Sequence, residues 1–256
     1  MKKKSSLLIV LTALTFFLNA RTSADLSSAF VSLKTKNPAS QIIAQKVPQF
    51  SFLFPEMAGA LRLGIVSGNE SRWPEQFKTA KFVDHKGTLT YEFKDALLGK
   101  GLLRVKAAPL KVTDGLILEI EVADVPDSLS LFWACGASSG KTQSPAETGL
   151  KPDFCKDNVF VVERNDVTIF YGESMKLKTI NLLFPVETES VLSDAHQQTS
   201  PLTFFKSGKK TDAPALSGKF TLASGTKYYI CVYRQTKDAD YNYSHLQSVF
   251  NQAVSK

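Results

Sequence analysis

The chain has 256 residues, 43% of them hydrophobic, and 31 Lys and Arg against 24 Asp and Glu give a formal net charge of +7. Four of those cations, Lys2, Lys3, Lys4 and Arg21, lie within the first 24 residues, so the remainder carries 27 basic and 24 acidic side chains, a net +3. Beyond that leader the basic residues alternate with acids and apolar residues and form no stripe, which argues against a nucleic-acid-binding face.

Residues 1–24 read as a cleavable signal peptide. Lys2, Lys3 and Lys4 supply a positive start, Leu7 to Leu18 an apolar stretch, and Thr22-Ser23-Ala24 a small-residue cleavage pattern before Asp25. The apolar stretch is shorter than the roughly 20 residues a spanning helix needs. The expected location is therefore periplasmic or extracellular, with no membrane contact after cleavage. No Cys follows the apolar stretch to accept a lipid. The remaining length suits one large sandwich domain over 25–243, with no low-complexity linker and no internal repeat.

From Leu61 onward the hydrophobic period is two. Leu89, Tyr91 and Phe93 alternate with polar neighbours, as do Leu103 and Val105, and then Leu116, Leu118, Ile120 and Val122. Asp114-Gly115 reads as a type I′ hairpin turn, in which both central residues take positive φ. Further strands are expected at Leu129–Ala134, Val159–Glu163, Val167–Tyr171, Thr179–Phe184, Leu202–Phe205, Lys219–Leu222 and Tyr228–Tyr233. Short strands broken by Gly, Pro, Asp and Asn predict an all-β, antiparallel β-sandwich of the super-sandwich type.

One helix is expected, over 244–256. Ser244 with Gln247 three residues on makes a capping box, and Leu246, Val249, Phe250, Ala253 and Val254 form an apolar stripe. No Gly or Pro follows to stop it, so the helix reads as truncated at Lys256.

Cys135 and Cys155 flank a Gly/Ser/Pro-rich loop, and a bridge there would close a loop of about 20 residues and stabilise by roughly 3 kcal/mol. Three buried thiols, Cys231 included, are the alternative. Neither the cysteines nor His85, His196 and His245 follow a zinc-site spacing, and no cofactor or metal is expected.

The segment from Leu131 to Thr142 carries the most suggestive chemistry. As a phosphate loop it lacks a glycine at Cys135 and a following helix. Gly136-Ala137-Ser138-Ser139-Gly140 fits Gly-x-Ser-x-Gly, with Ser138 as nucleophile and His196 or His245 as base, yet the strand-to-helix elbow is missing. A flexible strand-end loop is the plainer reading. Trp133 beside it offers either a stacking face for a sugar ring or a core aromatic, with Ser139, Lys141, Asp157 and Asn158 as polar contacts. Acids such as Glu119, Glu121 and Asp124 fall on wet strand faces and form no evident catalytic pair. Asn69-Glu70-Ser71 and Asn242-Tyr243-Ser244 match the glycosylation pattern.

Four stretches, Gly99-Lys100-Gly101-Leu102-Leu103, Asp114-Gly115-Leu116-Ile117-Leu118-Glu119, Leu131-Phe132-Trp133-Ala134-Cys135-Gly136 with Ser139-Gly140-Lys141, and Phe154-Cys155-Lys156-Asp157-Asn158, resemble an exported bacterial family, domain of unknown function 4450. The resemblance implies a sandwich preceding a six-hairpin α/α-barrel of glycosidase type, and would make the helix over 244–256 a linker leading towards it. It further implies a glycan or polysaccharide as partner, catalytic carboxylates in the barrel, and a non-catalytic role here, buttressing or completing a sugar site. That family commonly has a second glycine beside Gly136, where this chain has Ala137. The alternatives are a free-standing carbohydrate-binding module or adhesin, and a serine hydrolase using Ser138.

Overall fold

The two-residue alternation builds two facing sheets in a computed structural model that describes residues 30–55, 57–139, 143–144, 148–156, 158–170 and 179–255. The leader, Lys141 and Asp157 lie outside the described residues. The strands are β1 (Phe30–Lys34), β2 (Gln41–Gln45), β3 (Gln49–Phe54), β4 (Met57–Ser67), β5 (Glu70–Arg72), β6 (Thr79–His85), β7 (Thr88–Lys94) and β8 (Leu102–Pro109). They continue as β9 (Gly115–Ala123), β10 (Leu129–Ser139), β11 (Val159–Glu163), β12 (Asp166–Phe170), β13 (Thr179–Leu183), β14 (Glu189–Asp194), β15 (Pro214–Thr221) and β16 (Lys227–Tyr233). Three helices punctuate them: α1 (Pro152–Cys155), α2 (Pro201–Phe205) and α3 (Leu246–Val254).

One sheet runs β1-β2-β3-β4-β10-β15-β14, with β5 on β4; the other runs β11-β12-β13-β16-β9-β8-β7-β6. Every strand pair is antiparallel. The alternating residues read from the sequence fill the space between the sheets: Leu89, Tyr91 and Phe93 from β7, Leu103 and Val105 from β8, and Leu116, Leu118, Ile120 and Val122 from β9 meet Leu61, Leu63, Leu131 and Trp133. Each such side chain, fully buried, contributes about 1.5–3 kcal/mol. Trp133 lies opposite Gly218 in the β10–β15 register. A Cβ on Gly218 would come within 2.4 Å of the indole, so the glycine makes room for the tryptophan.

The helices cover apolar patches on the outer faces. α1 and α2 accompany Trp73, Phe132, Cys155 and Phe204 on the β4–β10–β15 side. On the other sheet, Leu246 and Phe250 of α3 are buried with Ile117, Tyr229, Cys231 and Tyr233. The helix expected as a departing linker thus lies against the outside of its own sandwich.

Several local expectations change. Leu202–Phe205 is helical and not a strand, because Ser200 caps Thr203 N and Pro201 stands at the first helical position. Ser244 does not cap α3. It lies inside a preceding 3-10 turn, Tyr243–His245, whose cap is Asn242, accepting from Ser244 N. Asp114-Gly115 is not the turn pair: neither residue has positive φ, and Gly115 already belongs to β9. Its missing Cβ leaves space for Val232 O at 2.4 Å. The turn with two left-handed residues is Lys86-Gly87, φ 53 and 85, between β6 and β7. Strands β1 to β6 and β14 are not among the strands named in the expectation.

Candidate functional site

The corner formed by the end of β10 and α1 gathers Gly136, Ser138, Cys155 and Asn158. β10 bulges between Gly136 and Ser139, with Gly136 at φ 154 and Ala137 at φ 53. Asn158 closes the bulge: its Nδ2 donates to Ser138 O at 2.6 Å and to Phe154 O at 3.4 Å, and its Oδ1 accepts from Ser138 N at 3.4 Å. Ala137 N donates to Cys155 Sγ at 3.3 Å, tying the same bulge to α1.

These bonds correct the expected sugar contacts. The Asn158 amide is buried and its polar atoms serve the backbone. Trp133 is 0% exposed and stacks on Phe184 at 3.8 Å between ring centroids, tilted by only 11°; no face remains open for a sugar. Its Nε1 has no hydrogen-bond partner. Trp73 is covered as well, with the Arg62 guanidinium 3.8 Å over its ring and Nε1 donating to Gln198 O at 2.8 Å. Ser139 continues β10 opposite Ala58; Lys141 and Asp157 are not among the described residues.

Ser138 is equally unsuited to nucleophilic attack. It is 3% exposed, and its Oγ has no hydrogen-bond partner, whereas an activated serine needs a base within reach. His196 instead pairs with Asp212 at 3.1 Å on the surface. Of the two readings open for the cysteines, the structure shows three buried free thiols and no Cys135–Cys155 bridge. Burial pushes all three thiols up, Cys155 to about 12, which leaves them without reactive thiolate at neutral pH.

The buried carboxylates are likewise engaged. Asp95 accepts from Arg72 Nη1 at 2.8 and 3.0 Å and from Leu97 N at 3.0 Å. Asp114 accepts from Thr35 Oγ1, Asn37 N and Ser40 Oγ at 2.8–3.1 Å. Glu119 sits between Lys106 Nζ at 2.9 Å and Lys227 Nζ at 3.0 Å. Burial alone would raise its carboxyl, but the two lysines outweigh that and hold it below the usual carboxylate range. No group of three metal-ligating side chains occurs among the described residues.

A recess that local sequence signals did not reveal lies at the other end of β12. About 340 Å³ in volume, it is lined by Arg164, Asn165, Asp166, Tyr241, Asn242 and Tyr243, among others. The β11–β12 turn, with Arg164 at φ 59, brings three polar residues to the segment just before α3. Tyr241 packs against Tyr233 at 4.9 Å, and Tyr243 Oη accepts from Tyr229 N at 3.4 Å, so both rings are braced. Asp166 Oδ1 has no hydrogen-bond partner; burial, then Glu163 and Asp240, raise its carboxyl above the ordinary value. Aromatic surface beside a carboxylate and a guanidinium is a mixture that holds a hydroxylated ring, while Asn165 Nδ2 and Asn242 Oδ1 are held by Phe184 O and Ser244. The two halves are far apart in the chain, so no spacing joins them.

The two antiparallel eight-stranded sheets with helix-covered outer faces define a super-sandwich. A family model described as Domain of unknown function (DUF4450) matches residues 54–254, and the chain belongs to that family. Among curated proteins none matches the sequence. A bacterial glucoamylase solved with acarbose is similar in structure, with a TM-score of 0.60 and 9% identity, over 89% of this chain and 36% of that one. A family GH92 inverting mannosidase from Bacteroides thetaiotaomicron aligns over 88% of this chain and 30% of its own, with a TM-score of 0.42 and 11% identity. The chain spans about a third of the length of these enzymes.

Proposed function

We propose that this chain is the exported, non-catalytic β-sandwich of a glycosidase-like protein in glycan breakdown, that it buttresses a helical catalytic body, and that the Tyr241–Tyr243 recess holds part of the glycan. The observation that carries the reading is the glucoamylase likeness: a fold that takes up most of this chain takes up only 36% of that enzyme. The commitment of Asp95, Asp114 and Glu119 to structural bonds supports the non-catalytic part. Trp133 and Asn158, both buried, are not retained as sugar contacts in this reading.

The test is direct. Residues 25–256 are assayed for turnover of chromogenic glycosides and for retardation in gels containing soluble glycans, alongside Tyr241→Ala and Tyr243→Ala. The expected result is no turnover and a retardation weakened at least tenfold by either substitution. Turnover by this chain would overturn the non-catalytic role, and retardation indifferent to both tyrosines would overturn the recess.

A further inference from the structure

A second concavity lies where the end of β1, the β6–β7 turn, the β8–β9 connection and the end of α3 meet, and its chemistry differs. This groove, about 570 Å³, is lined by Lys34, Lys36, His85, Lys86 and Lys111 together with Pro109, Leu110, Val254 and neighbours, with no acid in the lining among the described residues. We propose that it binds the repeated carboxylate or sulfate groups of an acidic polysaccharide, an inference that rests on the reading of the chain as a glycan-handling domain and names the class of glycan.

The cations are held in place by separate devices. Thr35 Oγ1 and Asn37 N both bond Asp114 Oδ1, at 2.9 and 3.1 Å, which pins the segment that carries Lys34 and Lys36. Thr35 and Ser40 occupy both carboxylate oxygens of Asp114 from the protein side, and Asp114 is not among the residues that line the groove. Lys86 is presented by the left-handed Lys86-Gly87 turn, with Asp84 of the same turn occupied by Gly87 N at 3.1 Å. Lys111 Nζ donates to Ser255 O and Ser255 Oγ, where it meets the negative end of α3. Lys34, Lys36 and Lys86 are exposed and make no ion pair among the described residues.

Three unpaired ammonium groups around one groove repel each other unless an anion enters, and the concave setting concentrates their field. The floor of Pro109, Leu110 and Val254 is aliphatic, suited to the apolar face of a sugar ring. Among the described residues its lining holds no Trp, Tyr or Phe on which nucleic-acid bases would stack, and His85 is its one aromatic ring. Lysine's compact, strongly hydrated charge matches spaced carboxylates or sulfates along a chain.

The experiment compares the unaltered protein with a groove variant, Lys34→Gln/Lys36→Gln/Lys86→Gln, and a charge-matched control, Lys209→Gln/Lys210→Gln/Lys237→Gln, all exposed positions. Binding is measured at low and high salt to polygalacturonate, dextran sulfate, neutral dextran and poly-L-glutamate. Expected is salt-sensitive binding to polygalacturonate or dextran sulfate that falls tenfold or more in the groove variant alone. Which of the two binds more tightly assigns the anion. Equal loss in the control, equal affinity for poly-L-glutamate, or no binding to either acidic glycan would overturn the proposal. Tyrosine-dependent binding to a neutral glycan would then still stand, so failure of the groove and failure of the glycan reading are separable.

Discussion

Removing the Trp133 ring tests whether the densest motif in the sequence is core or binding surface. A side chain of this size buries about 200 Å², worth about 5 kcal/mol at roughly 25 cal/mol per Å². The contact with Phe184, 3.8 Å between centroids, adds about 1 kcal/mol. Against this, the indole Nε1 is buried without an acceptor, a burden of about 1–3 kcal/mol. Trp133→Ala is therefore expected to cost about 3–5 kcal/mol, in line with aromatic truncations in cores. Trp133→Phe keeps a ring against Phe184 and deletes the unpaired donor, so its cavity cost is largely offset and the net change stays within about 1.5 kcal/mol. Urea unfolding followed by far-ultraviolet circular dichroism reads both values, and glycan retardation of the folded samples should not change. A Trp133→Ala cost under about 1 kcal/mol would refute the core assignment. A Trp133→Phe cost equal to that of Trp133→Ala would refute the unpaired indole.

Three further outcomes follow from the same structure. Ala137 sits at φ 53, where a Cβ costs about 1–2 kcal/mol and glycine's extra chain entropy only about 0.5–1 kcal/mol, so Ala137→Gly should raise the urea midpoint, equivalent to about 0.5–1 kcal/mol. Glu119 has a folded carboxyl below its unfolded value, so its contribution is complete above about pH 4.3 and disappears as pH falls through the lower folded value. Glu119→Gln should cost about 1–2 kcal/mol at pH 7, since both lysine partners remain partly in water, and should flatten the loss of stability between neutral pH and pH 3 in acid titrations of the unfolding midpoint. Ellman's reagent should find no reactive thiol in the native protein and three after denaturation; one thiol after denaturation would restore the Cys135–Cys155 bridge.

Legibility followed the range of the interaction. The β7, β8 and β9 pattern was readable because alternation is a property of neighbours, and those strands do present Leu89, Leu103 and Leu116 to one core. At Leu202–Phe205 the same apolar spacing was read as strand, although the Ser200-Pro201 start favours a helix turn and wins locally. The Asp114-Gly115 pair misled for a longer-range reason: Asp114 is held by Thr35 and Ser40 from the first strands, and Gly115 is small because Val232 of β16 passes close. Neither cause is visible in the dipeptide.

The same reasoning explains why charge counted along the chain gave the wrong impression of charge in space. Lys34, Lys86 and Lys111 each stand in an unremarkable local setting, and the alternation of bases with acids along the chain argues only against a nucleic-acid-binding stripe. Folding sorts the charges unevenly, because acids that cross-strand geometry can reach are consumed in pairs. Glu92 and Glu121 meet Arg104, and Glu119 meets Lys106 and Lys227, all on the outer face of β7, β8, β9 and β16. Strand ends and turns have no partner across a ladder, so the lysines that end there keep their charge. The loop after β1, the β6–β7 turn and the end of α3 meet at one corner, and the unpaired cations accumulate where pairing geometry stops.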